Sequence, residues 1–423
     1  MQTTLQRAGI LAGLILFLAF LPGCGHDEPR LFLAGTADRE LNNVADSALA
    51  TANIESLAIL VDSPDQEFFW KTARGIADPT NDAAMTAELP FRAASVGKMF
   101  TAVLVLQLVE HGFFSLDTRL GDVLGDADMP PGFSLSELHQ FAGVQRGGDV
   151  TIRQLLNHTS GLRDYVLDTP SDDPTDLSLT QRILADILGE IPSGISQRQW
   201  SSPEVLGYFF DSGLAANAVA APGAVFHYSD TNYLLLGMVI EKVSLVSLPD
   251  NYRNTIYASL NMDHAYLEWH EAAPVRGPVH HYWELPLPGQ TVNFDVVEIG
   301  INTSASWGGG GIVATAAELN RFIRGLFDLR LFSMSSTLKE MQSAVRVKDT
   351  VSYGLGLERR VYTVSGKEIV VYGHSGLWGV GVYFIPATKT SIVYTMNQVE
   401  LGEDWLEEIL HCLDRAKLFS SVQ

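Results

Sequence analysis

A serine and a lysine three residues apart, Ser95 and Lys98, stand at the head of a long apolar run. Residues at that spacing share one helix face, so the hydroxyl and the amine can meet if the helix begins near Ser95. A serine in a first turn also lies at the positive end of the helix dipole, where its backbone N–H is free to receive an oxyanion. A buried lysine beside it is a candidate base for the hydroxyl. The chemistry open to such a pair is nucleophilic acyl transfer.

Two later segments supply what that chemistry lacks. Tyr228 lies in residues 222–233, a loop running into the apolar stretch 234–241. A phenol at a loop–helix junction can shuttle a proton between nucleophile and leaving group. Near the end, residues 370–376 lead into 380–385 and then 391–394, which read as successive antiparallel strands with Pro386 and Thr388 in a turn. A strand edge carrying His374-Ser375-Gly376 offers the Leu377 backbone N–H to the oxyanion that Ser95 N–H receives. Gly376 would let substrate approach that backbone. Ser375 reads either as a substrate-contacting hydroxyl or as a plain strand residue.

Ser95-Val96-Gly97-Lys98, Tyr228-Ser229-Asp230 and His374-Ser375-Gly376, in that order, resemble the β-lactamase and penicillin-binding-protein family. The branch is that of class C β-lactamases, D-alanyl-D-alanine carboxypeptidases and related esterases. Residues 151–162, with His158-Thr159-Ser160-Gly161, resemble the family's His-Thr-Ser-Gly segment. Residues 309–315 resemble its glycine-rich segment before a helix, and Tyr353-Gly354-Leu355-Gly356-Leu357 the strand entering the final sheet. The similarity runs from about Leu41 to near Leu413. His-Ser-Gly in place of Lys-Thr-Gly looks more like the carboxypeptidase and esterase members. The resemblance implies Ser95 as nucleophile, Lys98 and Tyr228 exchanging protons, His374 tuning them, and no metal or cofactor. It also implies a loop-fixing role for His158.

One departure bears on substrate. The family usually has Tyr-x-Asn where this chain has Tyr228-Ser229-Asp230. An ionised aspartate only accepts, whereas an amide also donates. Beside Lys98 it would hold the amine's proton and leave more of the base work to Tyr228. It also removes a donor for the acyl-side amide of a peptide or β-lactam, unless Asp230 is a tolerated variant with the same geometry.

Other signals lead elsewhere. Gly373-His374-Ser375-Gly376 is not a nucleophile elbow, because Leu377 stands where a glycine is required. His264, His270, His280 and His281 lack the spacing of a metal site. Gly308 to Gly311 has no following Lys-Ser/Thr, so a tight turn beside the site accounts for it better than a phosphate loop.

At the amino terminus, Arg7 precedes an apolar stretch, residues 8–20, that suits a signal peptide and is short for a membrane span. Leu21-Pro22-Gly23-Cys24 resembles a bacterial lipobox, implying cleavage before Cys24, its acylation, and a lipid-anchored protein at the cell envelope. The expected organisation is therefore a signal peptide over 1–23, a tether over 24–40 and a hydrolase body over 41–423. With Cys24 acylated, Cys412 is left alone and reads as a small buried hydrophobe.

The formal net charge of -21 argues against nucleic-acid partners. A 46% hydrophobic chain of 423 residues can bury a large core. Strands near 56–62, 67–74 and 353–394 flank a largely helical middle, with helices from about Leu41 and Trp405. The fold class expected is α/β: a mixed antiparallel sheet built from both termini and flanked by helices, plus a largely helical subdomain, with the site in their cleft. The substrates expected are small molecules or peptidoglycan-derived: D-alanyl peptides, then β-lactams, then small esters. The alternative is a catalytically weak or inactive envelope binding protein on the same fold.

Overall fold

In the computed structural model, which describes residues 32–51, 54–171, 173, 175–287, 290–399 and 404–422, Ser56–Ser63 and Phe68–Asp78 pair antiparallel. Pro64 presets the intervening turn and Glu67 closes it in the left-handed region. This hairpin belongs to a nine-stranded sheet. The strand order is Val345–Lys348, Val351–Tyr353, Glu358–Val364, Lys367–Gly376, Val380–Ile385, Thr390–Thr395, Ser56–Ser63, Phe68–Asp78 and Ala83–Ala84. Thr390–Thr395 joins Ser56–Ser63 from Ala58↔Thr395 to Asp62↔Ser391, so the two ends of the chain complete one antiparallel sheet. Ser56–Ser63 is buried on both faces, which suits its central position and its continuous aliphatic run.

Helices Ala34–Thr51 and Trp405–Arg415 cover one face, burying Leu41, Ala45, Ile409 and Leu413 against Ile59, Val371 and Ile392. Cys412 sits in this layer, its thiol pushed up to about 11 chiefly by burial. The first helix begins at Ala34, seven residues before the expected body, because Ala37 and Leu41 form one apolar stripe that the sheet buries completely. Residues 32–40 thus belong to the body and not to a tether. The signal-peptide and lipobox readings, Cys24 included, lie outside the described residues.

The other face carries Ala316–Phe327, started by reciprocal bonds between Thr315 and Glu318. Beneath it runs Gly97–Glu110, buried from Gly97 to Leu106, with Gly112 just past its end at φ 76°. Phe322 stacks on Phe100 with ring centroids 3.6 Å apart, keying the sheet-covering helix to the helix that carries Lys98.

The expected helical middle is present as Ile152–Leu156, Leu179–Ile187, Ser202–Asp211 and Asp230–Ser244, the later links carrying 3-10 turns at Ile195–Gln197 and Ala215–Asn217. Two three-stranded sheets were not foreseen. Ile312–Ala314 bridges Phe91–Arg92 and Tyr266–Leu267, and Tyr282–Leu287 pairs with Gln290–Asp295 and Gln398–Val399. The strands of the first, and Gln398–Val399 of the second, are two or three residues long and too short to show alternation. Yet Phe91–Arg92 is the segment that delivers the chain to Ser95.

Phe322→Ala should lower the free energy of unfolding by about 3–5 kcal/mol, as expected for a truncated buried aromatic. Denaturant titration checks this, and a loss under about 1 kcal/mol would show that the stack does not tie the two helices.

Candidate active site

Ser95 occupies a single 3-10 turn, Ala94–Val96, immediately before Gly97–Glu110. Ala94 is held at φ 49°, a strained value for a residue with a side chain. The turn places Ser95 Oγ 3.2 Å from Lys98 Nζ. Lys98 is completely enclosed, and its amine also donates to Asp230 Oδ1 at 2.5 Å and to the Gly309 carbonyl at 2.8 Å. An ammonium has three N–H bonds, and here each finds an acceptor. Gly309 has to be glycine, because a Cβ there would stand 2.5 Å from Asp230 Oδ1. The glycine run is accordingly a close backbone approach beside the site.

Tyr228 and Asp230 sit where the loop enters helix Asp230–Ser244. Burial, and next the Asp230 carboxylate, hold the Tyr228 phenol well above its ordinary value, opposed by a hydrogen bond with Ser95. His158 fixes this corner. Its Nδ1 accepts from Ser229 N–H at 3.1 Å and from the Asn232 amide at 3.0 Å, and its ring lies 4.3 Å from that of Tyr228. Nδ1 is therefore unprotonated and Nε2 carries the hydrogen.

Asp164, unmarked in the sequence, accepts from Asp230 N–H at 3.0 Å. Burial and the neighbouring Asp230 charge raise its carboxyl well above the usual range. The Arg163 carbonyl accepts from Ser229 and Thr231 hydroxyls. The segment after His-Thr-Ser-Gly thus clamps the Tyr228–Asp230 corner from behind.

His374 is buried and reaches the cluster through a residue that sequence reasoning did not assign. Its Nδ1 donates to the Ser375 carbonyl at 2.6 Å, so Nε2 accepts from Tyr353 Oη at 2.9 Å. The Tyr353 ring in turn packs edge-on against Tyr228. Glu358, also unforeseen, lies 3.7 Å from His374 Nδ1 and pairs with Arg360 at 2.7 Å.

Ser375 donates to Glu358 at 3.2 Å and accepts from Arg360 at 3.0 Å, so its hydroxyl serves the strand and does not line the cleft. At Gly376 the close neighbour is protein: a Cβ would stand 2.5 Å from the Ala93 carbonyl, which seats the strand edge against the nucleophile turn. Leu377 follows, half exposed.

A cavity of about 130 Å³ opens on Ser95 and is lined also by Tyr228, Asp230, Leu377, Trp378, Arg92 and Glu268. Among the described residues no cluster of three metal-ligating side chains occurs. His280 bonds Asp295 at 2.5 Å and His270 a backbone carbonyl.

The family model described as Beta-lactamase matches residues 41–412. The chain belongs to the β-lactamase family. It is 28% identical over 336 residues to penicillin-binding protein 4 of Amycolatopsis lactamdurans, covering 77% of this chain and 74% of that one. It is 26% identical to esterase EstB of Burkholderia gladioli, covering 69% and 71%. The solved D-stereospecific amidohydrolase of Streptomyces sp. superposes with a TM-score of 0.69 at 23% identity, covering 88% and 97%. This β-lactamase family member is thus an enzyme of the serine-hydrolase type with the mixed α/β fold.

The protein buries His158, His281 and His374 with their pKa below the ordinary histidine value, in each case chiefly through burial. Unfolding releases them to bind protons near pH 6.5, so below that pH the unfolded chain holds more protons than the folded one. Stability should therefore fall as pH drops below about 6.5, by up to about 1.4 kcal/mol per pH unit for each histidine. Urea unfolding at pH 7.5 and 5.5 should show a smaller drop in His158→Gln than in the wild type. An equal drop in both would remove His158 from this account.

Proposed function

We propose that the protein hydrolyses amide or ester bonds through a covalent acyl-enzyme on Ser95. D-alanyl peptides or related D-amino-acid amides lead as substrates, followed by β-lactams and small esters. The observation that carries this reading is the contact of Ser95 Oγ with enclosed Lys98 Nζ at 3.2 Å, Ser95 itself lining a cavity together with Tyr228. Relatives named as a penicillin-binding protein, an esterase and a D-stereospecific amidohydrolase support this range.

Ser95 Oγ bonds to the carbonyl carbon while its proton passes to Tyr228 Oη and the Tyr228 proton passes to the leaving nitrogen or oxygen. The carbonyl electron pair moves onto oxygen, received by the Ser95 and Leu377 N–H groups, and returns as the leaving group departs. Water then attacks the acyl carbon and the protons run back, restoring the Ser95 hydroxyl. A phenol whose ionisation is disfavoured suits such a relay, in which no free phenolate accumulates. Lys98 Nζ lies 3.2 Å from the serine oxygen and 4.9 Å from the Tyr228 ring centroid, placed to exchange protons with both, and His374 orients Tyr353 behind Tyr228.

The Lys98–Asp230 contact also favours a second reading, a slow or inactive binding protein, because an amine tied to a carboxylate is a weaker base. For location, the Leu21–Cys24 motif supports a lipid-anchored envelope protein.

Intact-mass analysis after incubation with a fluorophosphonate and, separately, a penicillin tests the proposal. The wild type should gain one adduct from the fluorophosphonate, and Ser95→Ala should gain none while remaining folded. Labelling that persists at Ser160 or Ser375 in that variant would overturn the assignment of the nucleophile.

A further inference from the structure

Behind the Tyr228–Asp230 corner stands a carboxyl group that the acyl-transfer steps do not use. Asp164 is buried, and its Oδ1 accepts from Asp230 N–H at 3.0 Å and from Val166 N–H at 3.1 Å. Asp230 opens a helix, where the first backbone N–H groups have no partner within the helix. The bond from Asp164 therefore seats the residue that receives Lys98 Nζ. Asp164 Oδ2, by contrast, is enclosed and has no hydrogen-bond partner among the described residues.

The cations near this carboxyl among the described residues are committed elsewhere. Lys98 spends its three N–H bonds on Ser95, Asp230 and Gly309. Arg163 gives Nε to the Asn217 carbonyl at 2.5 Å and Nη1 to the Thr169 carbonyl at 3.3 Å. His227 Nε2 bonds Asp168 Oδ2 at 2.7 Å, an oxygen that also accepts from Asp164 N–H at 2.8 Å. Tyr165 donates to the Ala305 carbonyl, and the Tyr228 phenol, whose ionisation burial disfavours, adds no charge. The charges left to act on Asp164 are those of Asp230 and Asp168, both negative. Two backbone N–H bonds at Oδ1 favour a carboxylate, but burial, an unpaired Oδ2 and two like charges outweigh them. Neighbouring carboxyls in such surroundings titrate as a pair, of which one keeps its proton.

We propose that Asp164 is a positioning residue that holds its proton at neutral pH, so that the Asp164–Asp230 pair carries a single negative charge, on the carboxylate that receives Lys98. Loss of that proton sets a second negative charge behind Asp230. It disturbs the Lys98 contact and opposes the charge that develops on the carbonyl oxygen as Ser95 attacks. The kinetic consequence rests on the acyl-enzyme reading of Ser95; the protonation itself does not.

The infrared spectrum of the wild type minus that of Asp164→Asn at pH 7 should contain the C=O stretch of a protonated carboxyl group. Only carboxylate bands in that difference would overturn the proposal. In the wild type alone the band should persist from neutral pH up to an alkaline transition, a reading that needs no variant to fold. The second measurement is the rate of Ser95 acylation by a fluorophosphonate against pH. Asp164→Asn keeps an accepting oxygen without the titrating proton, so at pH 7 it should stay within about threefold of the wild type, whereas Asp164→Ala should lose about tenfold. As pH rises, the wild-type rate should fall through a transition that Asp164→Asn lacks or shows at least about one pH unit higher. An asparagine variant as slow as the alanine one, or pH profiles that superimpose, would overturn the positioning role. Absence of wild-type labelling sinks the acyl-enzyme reading and leaves the infrared result to decide the protonation of Asp164.

Discussion

A lysine whose side chain is wholly enclosed must find an acceptor for every N–H bond, because an unpaired buried charge costs several kcal/mol. Lys98 meets this demand with Ser95 Oγ, Asp230 Oδ1 and the Gly309 carbonyl. Those three acceptors come from residues far apart in sequence, so one side chain fixes the relative positions of three segments. The nucleophile turn, the Tyr228–Asp230 corner and the glycine-rich segment converge on it.

The surrounding scaffold reads as support for that convergence. Glycine is required at position 309 by the Asp230 carboxylate and at 376 by the Ala93 carbonyl. His158 and Asp164 bind the backbone of Ser229 and Asp230 from the other side. Asp230 therefore has two duties: it completes the Lys98 ion pair, and it lines the cleft as an acceptor where the family usually places an amide. The first ties the amine beside the serine oxygen to the Tyr228–Asp230 corner. The second biases which substrates fit.

The residues that announce themselves by type and spacing were legible in the sequence. Ser95 and Lys98 are three apart on an apolar run, and Tyr228 and Asp230 precede another, so the structure brings them together at hydrogen-bonding or ring-contact distance. The central strands were legible for the same reason, since their aliphatic runs are long. Asp164, Glu358, Arg92 and Glu268 were not, because single charged residues carry no periodic signal and their partners lie elsewhere in the chain. Ser375 and Gly376 lay in a readable motif, but which neighbour each meets depends on strands Glu358–Val364 and Lys367–Gly376 pairing in register. The early start of the first helix was hidden by the mixed composition of residues 34–40.

The claim on which this account turns is that Lys98 and Asp230 act on Ser95 as one unit. A double-mutant cycle on the second-order rate of Ser95 acylation by a fluorophosphonate, with Lys98→Met, Asp230→Asn and both together, measures that directly. The account predicts strong coupling, the double variant reacting no more slowly than Lys98→Met alone and about tenfold faster than the product of the single effects. Single effects that simply multiply would show that the two side chains serve Ser95 independently, and would contradict it.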